Sequence, residues 1–243
     1  MDKNDGMNYA PQGKPNRVVE PGEFRFAAVA LDHGHIYGMC NGLVEAGAEL
    51  TAVYDPDPNK VQAFIAKFPQ ARAAASEEEI LSDPSILLVA SAAVPSERGP
   101  LGLRVMEHGK DYFTDKAPFT ALEQLEAARD KVKMTGRKYM VYYSERLHVE
   151  CAVFAGQLIE QGAIGRVVQV IGTGPHRLNA PSRPEWFFSS LRNTAEFFAI
   201  SEAIRSSNSC ITPVPKTRPS RTAKWLTITA RIIKSCRISA MPR

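Results

Sequence analysis

The 243-residue chain contains no apolar run approaching the roughly 20 residues that a membrane-spanning helix needs. Its first residues, Met1 to Gly6, lack the basic-then-apolar plan of a secretory signal. Only four cysteines are present, Cys40, Cys151, Cys210 and Cys236, and none stands at a metal-ligand or redox spacing from another. Scattered, unpaired cysteines suit a reducing cytoplasm, so the expected location is cytoplasmic and neither a disulfide framework nor a zinc ribbon is expected.

What is present is a globular composition, 44% hydrophobic and 23% charged, which excludes a disordered or membrane class. The net charge of +4 hides an asymmetry. Residues 189–243 carry ten Lys or Arg against two Glu, a balance of +8, which leaves −4 on residues 1–188. A flexible basic segment attracts phosphate. This one has neither interleaved aromatics nor a docking motif, so a nucleic-acid partner is not expected.

Residues 1–22 are polar, with Gly and Pro but no apolar period, and are expected to form a flexible lead. A regular alternation then begins. The short apolar run Phe26–Leu31 enters a glycine-containing turn, a helix covers Met39–Ala46, and Gly47 ends it. Glu49–Tyr54 is the next strand, followed by a helix from Pro58 to Phe68. Ser76 with Glu79 is a capping box. Ile86–Ala90 is a fully apolar strand of the kind buried on both faces. A helix over Leu101–His108 leads to the strand Asp111–Thr114. Thr120 with Glu123 is a second capping box, its helix stops near Gly136, and Tyr139–Tyr143 is a further strand. Five strands alternating with helices predict an α/β domain over residues 23–144, a Rossmann-type doubly wound parallel sheet.

The turn after the first strand, Asp32-His33-Gly34-His35-Ile36-Tyr37-Gly38, is placed to let backbone N–H groups approach a pyrophosphate at a helix N-terminus. Relative to G-x-G-x-x-G it has lost two glycines: Asp32 stands at the first position and Tyr37 at the third. Asp55 follows Gly34 by 21 residues and closes the second strand, where a carboxylate accepts hydrogen bonds from ribose hydroxyls and repels a 2′-phosphate. NAD is therefore expected over NADP. The alternative is that Asp55 simply starts the Asp55-Pro56-Asp57-Pro58 turn. Asp32, His33 and His35 also invite a metal reading. Three ligands in one tight loop rarely converge on one ion, and no second cluster completes them, so no metal is expected.

The stretch from Met106 to Pro118, ending Asp115-Lys116-Ala117-Pro118, resembles the "GKHVLxEKP" segment of the Gfo/Idh/MocA oxidoreductases, relatives of glucose–fructose oxidoreductase and inositol dehydrogenase. The helix beginning Thr120-Ala-Leu-Glu resembles that family's next element. Gly162-Ala-Ile-Gly-Arg-Val167 resembles its "G-x-I-G-x-V" link into a second domain, which residues 145–188 are expected to begin. The resemblance implies a nicotinamide cofactor, a sugar- or cyclitol-like alcohol as substrate, and a homo-oligomer in full-length relatives. It implies that Lys116 lies at the nicotinamide and orients the substrate, with Asp115 and Pro118 beside the cofactor. Glu145 and Arg146, where the chain leaves the cofactor domain, are candidates for the substrate cleft or for a surface ion pair. There are departures: Asp115 replaces a glutamate, Ala117 is inserted before Pro118, and Ala92–Arg98 replaces a "TPNxxH" segment.

The resemblance also implies an Asp-x-x-x-His acid–base pair on a helix of the second domain. Residues 189–243 contain neither aspartate nor histidine, and their Ser-, Pro- and Arg-rich stretches match nothing in the family. Synonymous codons exist for which a one-nucleotide shift after Phe188 restores an Asp-x-x-x-His string and a helical pattern. A frameshift between Phe188 and Ala195 is therefore expected, leaving the α/β second domain incomplete and its expected apolar strand Val167–Ile171 partly uncovered. Weak or absent NAD binding and negligible turnover are the expected consequences. The competing expectation is a non-catalytic dinucleotide sensor that keeps the Rossmann domain.

Overall fold

The computed structural model describes residues 17–143 and 150–169, and these described residues fall into two units that part between Tyr142 and Tyr143. In the first, six strands form one parallel sheet: β1 Arg25–Val29, β2 Glu49–Tyr54, β3 Arg72–Ala73, β4 Leu88–Ser91, β5 Asp111–Asp115 and β6 Tyr139–Tyr142. Their order across the sheet is β3-β2-β1-β4-β5-β6. That is the doubly wound order, with its topological switch point between β1 and β4. The intervening helices are α1 His35–Glu45, α2 Pro58–Lys67, α3 Glu77–Ser82, α4 Pro95–Glu107 and α5 Leu122–Thr135.

Strand alternation divides the core between the two faces. Phe26, Ala28, Leu88 and Ala90 pack with Ile36, Met39, Leu43 and Phe64 of α1 and α2. Ala27, Val29 and Val89 pack with Ile80 and Leu81 of α3 and Leu101 and Val105 of α4. Every residue of β4 is buried, as expected of a central parallel strand covered on both faces.

The α/β sheet and its helices are as the alternation predicts, with five differences in detail. β3 is a two-residue exposed edge strand, too short to leave an apolar signature. Next, α1 starts at His35 rather than Met39, because Ile36 already belongs to the core. The flexible lead ends early: Val19 is buried, and the Val18 amide donates to the Ala46 carbonyl at 2.9 Å. Gly47 is essential to that seam, since it adopts φ +103° and a Cβ there would lie 2.5 Å from the Val19 carbonyl oxygen.

The remaining two differences share a cause. α4 begins at Pro95, a full turn and more before Leu101, although Pro100 lies inside it. A proline has no N–H for the carbonyl four residues back. The carbonyl left over is that of Ser96, and Gln124 Nε2 donates to it at 3.0 Å. The same Gln124 accepts from the Thr120 amide at 2.9 Å through Oε1. Thr120 therefore makes no capping box with Glu123, and Ala121 is the N-cap of α5. The Ser76 box does form in part. Ser76 Oγ accepts from the Glu79 amide at 3.1 Å, while Glu79 Oε2 accepts from the Ala75 amide at 2.6 Å, one residue earlier than the usual return bond.

In the second unit, α6 spans Glu150–Glu160 and is closed by a turn in which Gly162 and Gly165 both take positive φ. The Ala163 amide reaches back to the Leu158 carbonyl at 3.0 Å. The expected strand over residues 167–171 lies partly outside the described residues, and Val167, Val168 and Gln169 are not in a strand. No helix among the described residues is long and apolar enough to cross a membrane.

Candidate active site at the switch point

At the carboxyl ends of β1, β4 and β5, three loops meet. The first holds Asp32, His33 and Gly34 ahead of α1. The second, Ala92–Val94, precedes α4, and the third is Asp115–Pro118. Strand register alone brings them together, since β4 lies between β1 and β5 with Ser91 opposite both Val29 and Thr114. The His33 amide donates to the Ala92 carbonyl at 3.0 Å, and Asp32 Oδ2 accepts from the Val94 amide at 3.2 Å, so the first two loops are stitched to each other.

Gly34 is exposed, and a Cβ built on it would meet nothing within 4 Å. The loop thus leaves open space at the start of an eleven-residue helix, the place where a phosphate is attracted by the helix dipole and backbone amides. This fits a dinucleotide pyrophosphate even though two glycines of the motif are gone. Ile36, expected at the cofactor, has its side chain wholly inside the core. Any contact it makes with a ligand is through its backbone.

Asp32 and Asp55 are both engaged. Lys60 Nζ lies 2.6 Å from Asp32 Oδ1 and 3.7 Å from Asp55 Oδ1. Burial acts to lower the Lys60 pKa, but the Asp32 hydrogen bond and the charges of Asp32, Asp55 and Asp57 outweigh it and raise the pKa. The buried Asp55 carboxylate accepts from the Leu31 amide at 2.7 Å and from the Asp57 amide at 2.9 Å. Its spacing is that of a ribose ligand, yet its observed bonds shape the turn after β2 and tie that turn to β1. An open cavity of about 570 Å3 lies beside it, between α2 and the residues after β3, with Tyr54, Gln62 and Ala74 in its walls.

Asp115 is the centre of the site. It is almost fully buried at the end of β5. Oδ1 accepts from the Lys116 amide at 2.8 Å and pairs with His35 Nδ1 at 2.9 Å. Oδ2 lies 3.3 Å from Arg98 Nη2 and 3.4 Å from His33 Nδ1. Burial alone would raise the Asp115 pKa, but the charges of His35 and Arg98, the His35 hydrogen bond and the charge of His33 hold it well below the usual carboxylate range. His33, His35 and Asp115 present ligand atoms within 4.8 Å of one another. The sequence does not disclose this grouping, because the carboxylate comes 80 residues later than the imidazole it meets. Its chemistry is that of a closed ion network: the Lys116 amide, the Arg98 guanidinium and two imidazole nitrogens already crowd the two carboxylate oxygens, and a cation would have to face the guanidinium.

Lys116 is buried, as is Ala117, and the peptide bond between them is cis. Pro118 is half-buried, and its carbonyl accepts from the Tyr139 hydroxyl at 3.3 Å. Arg98, in the segment that departs from the family pattern, is a site residue that the sequence does not reveal. Its guanidinium donates to the carbonyls of Ala93, Lys116 and Ala117 and lies against Asp115. Nothing in an exposed-looking Pro-Ser-Glu-Arg run marks that arginine as buried. Glu145 and Arg146 lie outside the described residues, as do residues 170–243.

Comparisons with known proteins agree with this geometry. Residues 31–143 match the oxidoreductase family described as GFO_IDH_MocA, NAD-binding Rossmann fold. A scyllo-inositol 2-dehydrogenase (NAD(+)) of Bacillus subtilis (strain 168) is 29% identical over 126 residues, 52% of this chain and 36% of that protein. A crystal structure from Erwinia carotovora atroseptica SCRI1043, provisionally classed as an oxidoreductase, is 46% identical, with a TM-score of 0.66 over 72% of this chain and 51% of that one. The WlbA dehydrogenase of Bordetella pertussis, solved with NADH and UDP-GlcNAcA, shares the fold at 21% identity and a TM-score of 0.52, over 63% of this chain and 43% of its own. The chain thus spans about a third of the curated relative and about half of the Erwinia structure. Residues 31–143 thus match the NAD-binding Rossmann domain of the Gfo/Idh/MocA oxidoreductase family.

Proposed function

We propose that this chain is a cytoplasmic NAD-dependent oxidoreductase acting on a sugar- or cyclitol-like alcohol, with its pyrophosphate site at Gly34 and its substrate-orienting residue at Lys116. The observation that carries the reading is the convergence of Gly34 and Lys116 on one end of the sheet, at the switch point between β1 and β4. The scyllo-inositol dehydrogenase, although only 29% identical, supports the substrate class. When bound, the dinucleotide supplies hydride-transfer chemistry.

The chain's own residues do the rest. The backbone around Gly34 and the start of α1 hold the pyrophosphate, while His33 and His35 line the loop with Asp115 as their counter-ion. The adenosine half is assigned to the end of β2, where Asp55 shapes the turn and the cavity opens. Lys116 presents an ammonium to a substrate hydroxyl, favouring its deprotonated form as the carbon is oxidised. Asp115 and Pro118 fix the backbone on either side of that lysine. Homo-oligomers are expected as in full-length relatives.

One observation favours a second reading. Asp130 is the last aspartate of the chain and His176 its last histidine, so residues 177–243 offer no Asp/His acid–base pair. A frameshifted tail after Phe188 accounts for this and predicts negligible turnover by these 243 residues. A non-catalytic dinucleotide sensor accounts for it too. A calorimetric titration with NADH beside a turnover assay on polyols separates them. Binding that a polyol tightens, a coupling that Lys116→Met abolishes, supports the oxidoreductase. Tight binding indifferent to every polyol and to Lys116→Met supports the sensor. The coding DNA across Phe188 to Ala195 tests the frameshift, and codons incompatible with a shifted Asp-x-x-x-His string would remove it.

A further inference from the structure

We propose that Arg98 is the positioning residue of the Lys116 loop, holding its backbone in the one arrangement that presents Lys116 and the phosphate loop to the same ligand. This rests on the assignment of Lys116 to the substrate made above.

Arg98 sits near the start of α4, on the loop side of the switch point, and only 2% of it is exposed. Nε donates to the Ala93 carbonyl at 2.7 Å, which fixes the guanidinium to its own β4–α4 loop. Nη1 donates to both the Lys116 carbonyl and, at 3.2 Å, the Ala117 carbonyl. Nη2 faces Asp115 Oδ2 at 3.3 Å. One planar group therefore serves three carbonyls and a carboxylate from two loops. The Tyr139 hydroxyl lies 3.3 Å from both the Arg98 and the Pro118 carbonyls, holding the same loop from β6.

The fork geometry is what allows this. A guanidinium carries five N–H donors in a fixed plane, whereas an ammonium has three on a single point. Without Arg98, the Lys116 and Ala117 carbonyls become buried acceptors that have lost their donor, and Asp115 loses its guanidinium counter-charge. The loop must then turn those carbonyls towards water, and the Lys116 side chain moves with its own backbone. Arg98 touches no reacting group in this account. It acts through Lys116 and Asp115.

The test uses a second buried lysine as its internal standard. Lys110 precedes β5 at the opposite end of that strand, is equally buried, and bonds through Nζ to the Asp83 and Ile86 carbonyls, far from Arg98. The 243-residue chain and its Arg98→Ala and Arg98→Lys variants are labelled with an amine-specific acetylating reagent, and the rates at Lys116 and Lys110 are read by peptide mass spectrometry. In Arg98→Ala, Lys116 is expected to label about tenfold faster, the equivalent of one lost charge-assisted bond, with Lys110 unchanged. Ethylguanidinium, which refills the vacated space, slows Lys116 again. Arg98→Lys keeps the charge and most of the volume, and it shows the same selectivity to a smaller extent without rescue. If Arg98→Ala does not fold, Arg98→Lys decides alone.

Parallel acceleration of Lys116 and Lys110 in Arg98→Lys, or no change at either, would overturn the proposal. So would a folded Arg98→Ala variant that ethylguanidinium leaves untouched. Labelling needs no cofactor. A wild-type chain that binds no NADH would therefore count against the proposed function and leave this result standing.

Discussion

His35 and Asp115 join the phosphate loop to the end of β5 through a 2.9 Å contact between Nδ1 and Oδ1. Eighty residues separate them in sequence, and the parallel register of β1, β4 and β5 brings them together. The pair makes the cofactor end of the sheet one electrostatic unit. It contains two imidazoles and a guanidinium around a single buried carboxylate.

The first prediction concerns acid. The Asp115 pKa is depressed in the folded chain, so its contribution to stability is complete above the unfolded-state value of about 3.9 and is lost as pH falls below it. Asp115→Asn removes the counter-ion of a buried arginine and is expected to cost about 3–5 kcal/mol at pH 7. Urea unfolding at pH 7 and at progressively lower pH checks this. The gap between wild type and variant should narrow below about pH 4, and a gap independent of pH would contradict the account.

The second separates binding from folding at the phosphate loop. A side chain at Gly34 meets open space and its backbone φ is −60°, so Gly34→Val should leave stability within about 1 kcal/mol of wild type. The added methyl groups occupy the space assigned to the pyrophosphate. NADH affinity is expected to fall about tenfold or more, equivalent to about 1.4 kcal/mol or greater. Equal NADH affinity in a folded variant would place the phosphate elsewhere.

Gly47→Ala is expected to do the opposite. Its positive φ and the 2.5 Å approach to the Val19 carbonyl make any Cβ both strained and obstructed. A loss of at least about 2 kcal/mol is expected in chemical denaturation, together with proteolytic release of the segment before Phe24.

Gln124→Leu tests how α4 carries its proline. The substitution keeps the volume but leaves the Ser96 carbonyl and the Thr120 amide without their partner. About 1–3 kcal/mol should be lost. A shift in protease sensitivity confined to the start of α4 and the turn before α5 would localise that loss.

Those positions also show what the sequence makes legible. The strands that carry the fold are read from apolar runs, since both faces of a central parallel strand are buried: β4 is apolar because it has no solvent side. Local pattern rules work where the rule is local, as at Ser76, whose cap bond forms within four residues. They fail where a distant side chain takes over. Pro100 reads as a helix boundary, and only Gln124, 28 residues beyond the Ser96 carbonyl it satisfies, explains why α4 runs through it. Thr120 reads as a cap for the same reason in reverse.

The candidate site divides along the same line. Gly34 and Lys116 are visible through their motifs, since each belongs to a short segment with a recognisable order. Arg98 is not, because its burial is created by three carbonyls and a carboxylate from two loops. Asp55 shows the limit of spacing alone. Its position is that of a ribose ligand, while its bonds are those of a turn-former.

The most direct measurement is a calorimetric titration of the 243-residue chain with NADH, repeated with Gly34→Val. The account predicts saturable one-to-one binding by the wild type, weakened about tenfold or more in a variant of unchanged stability. No saturable heat up to millimolar NADH from a folded wild-type chain would contradict it.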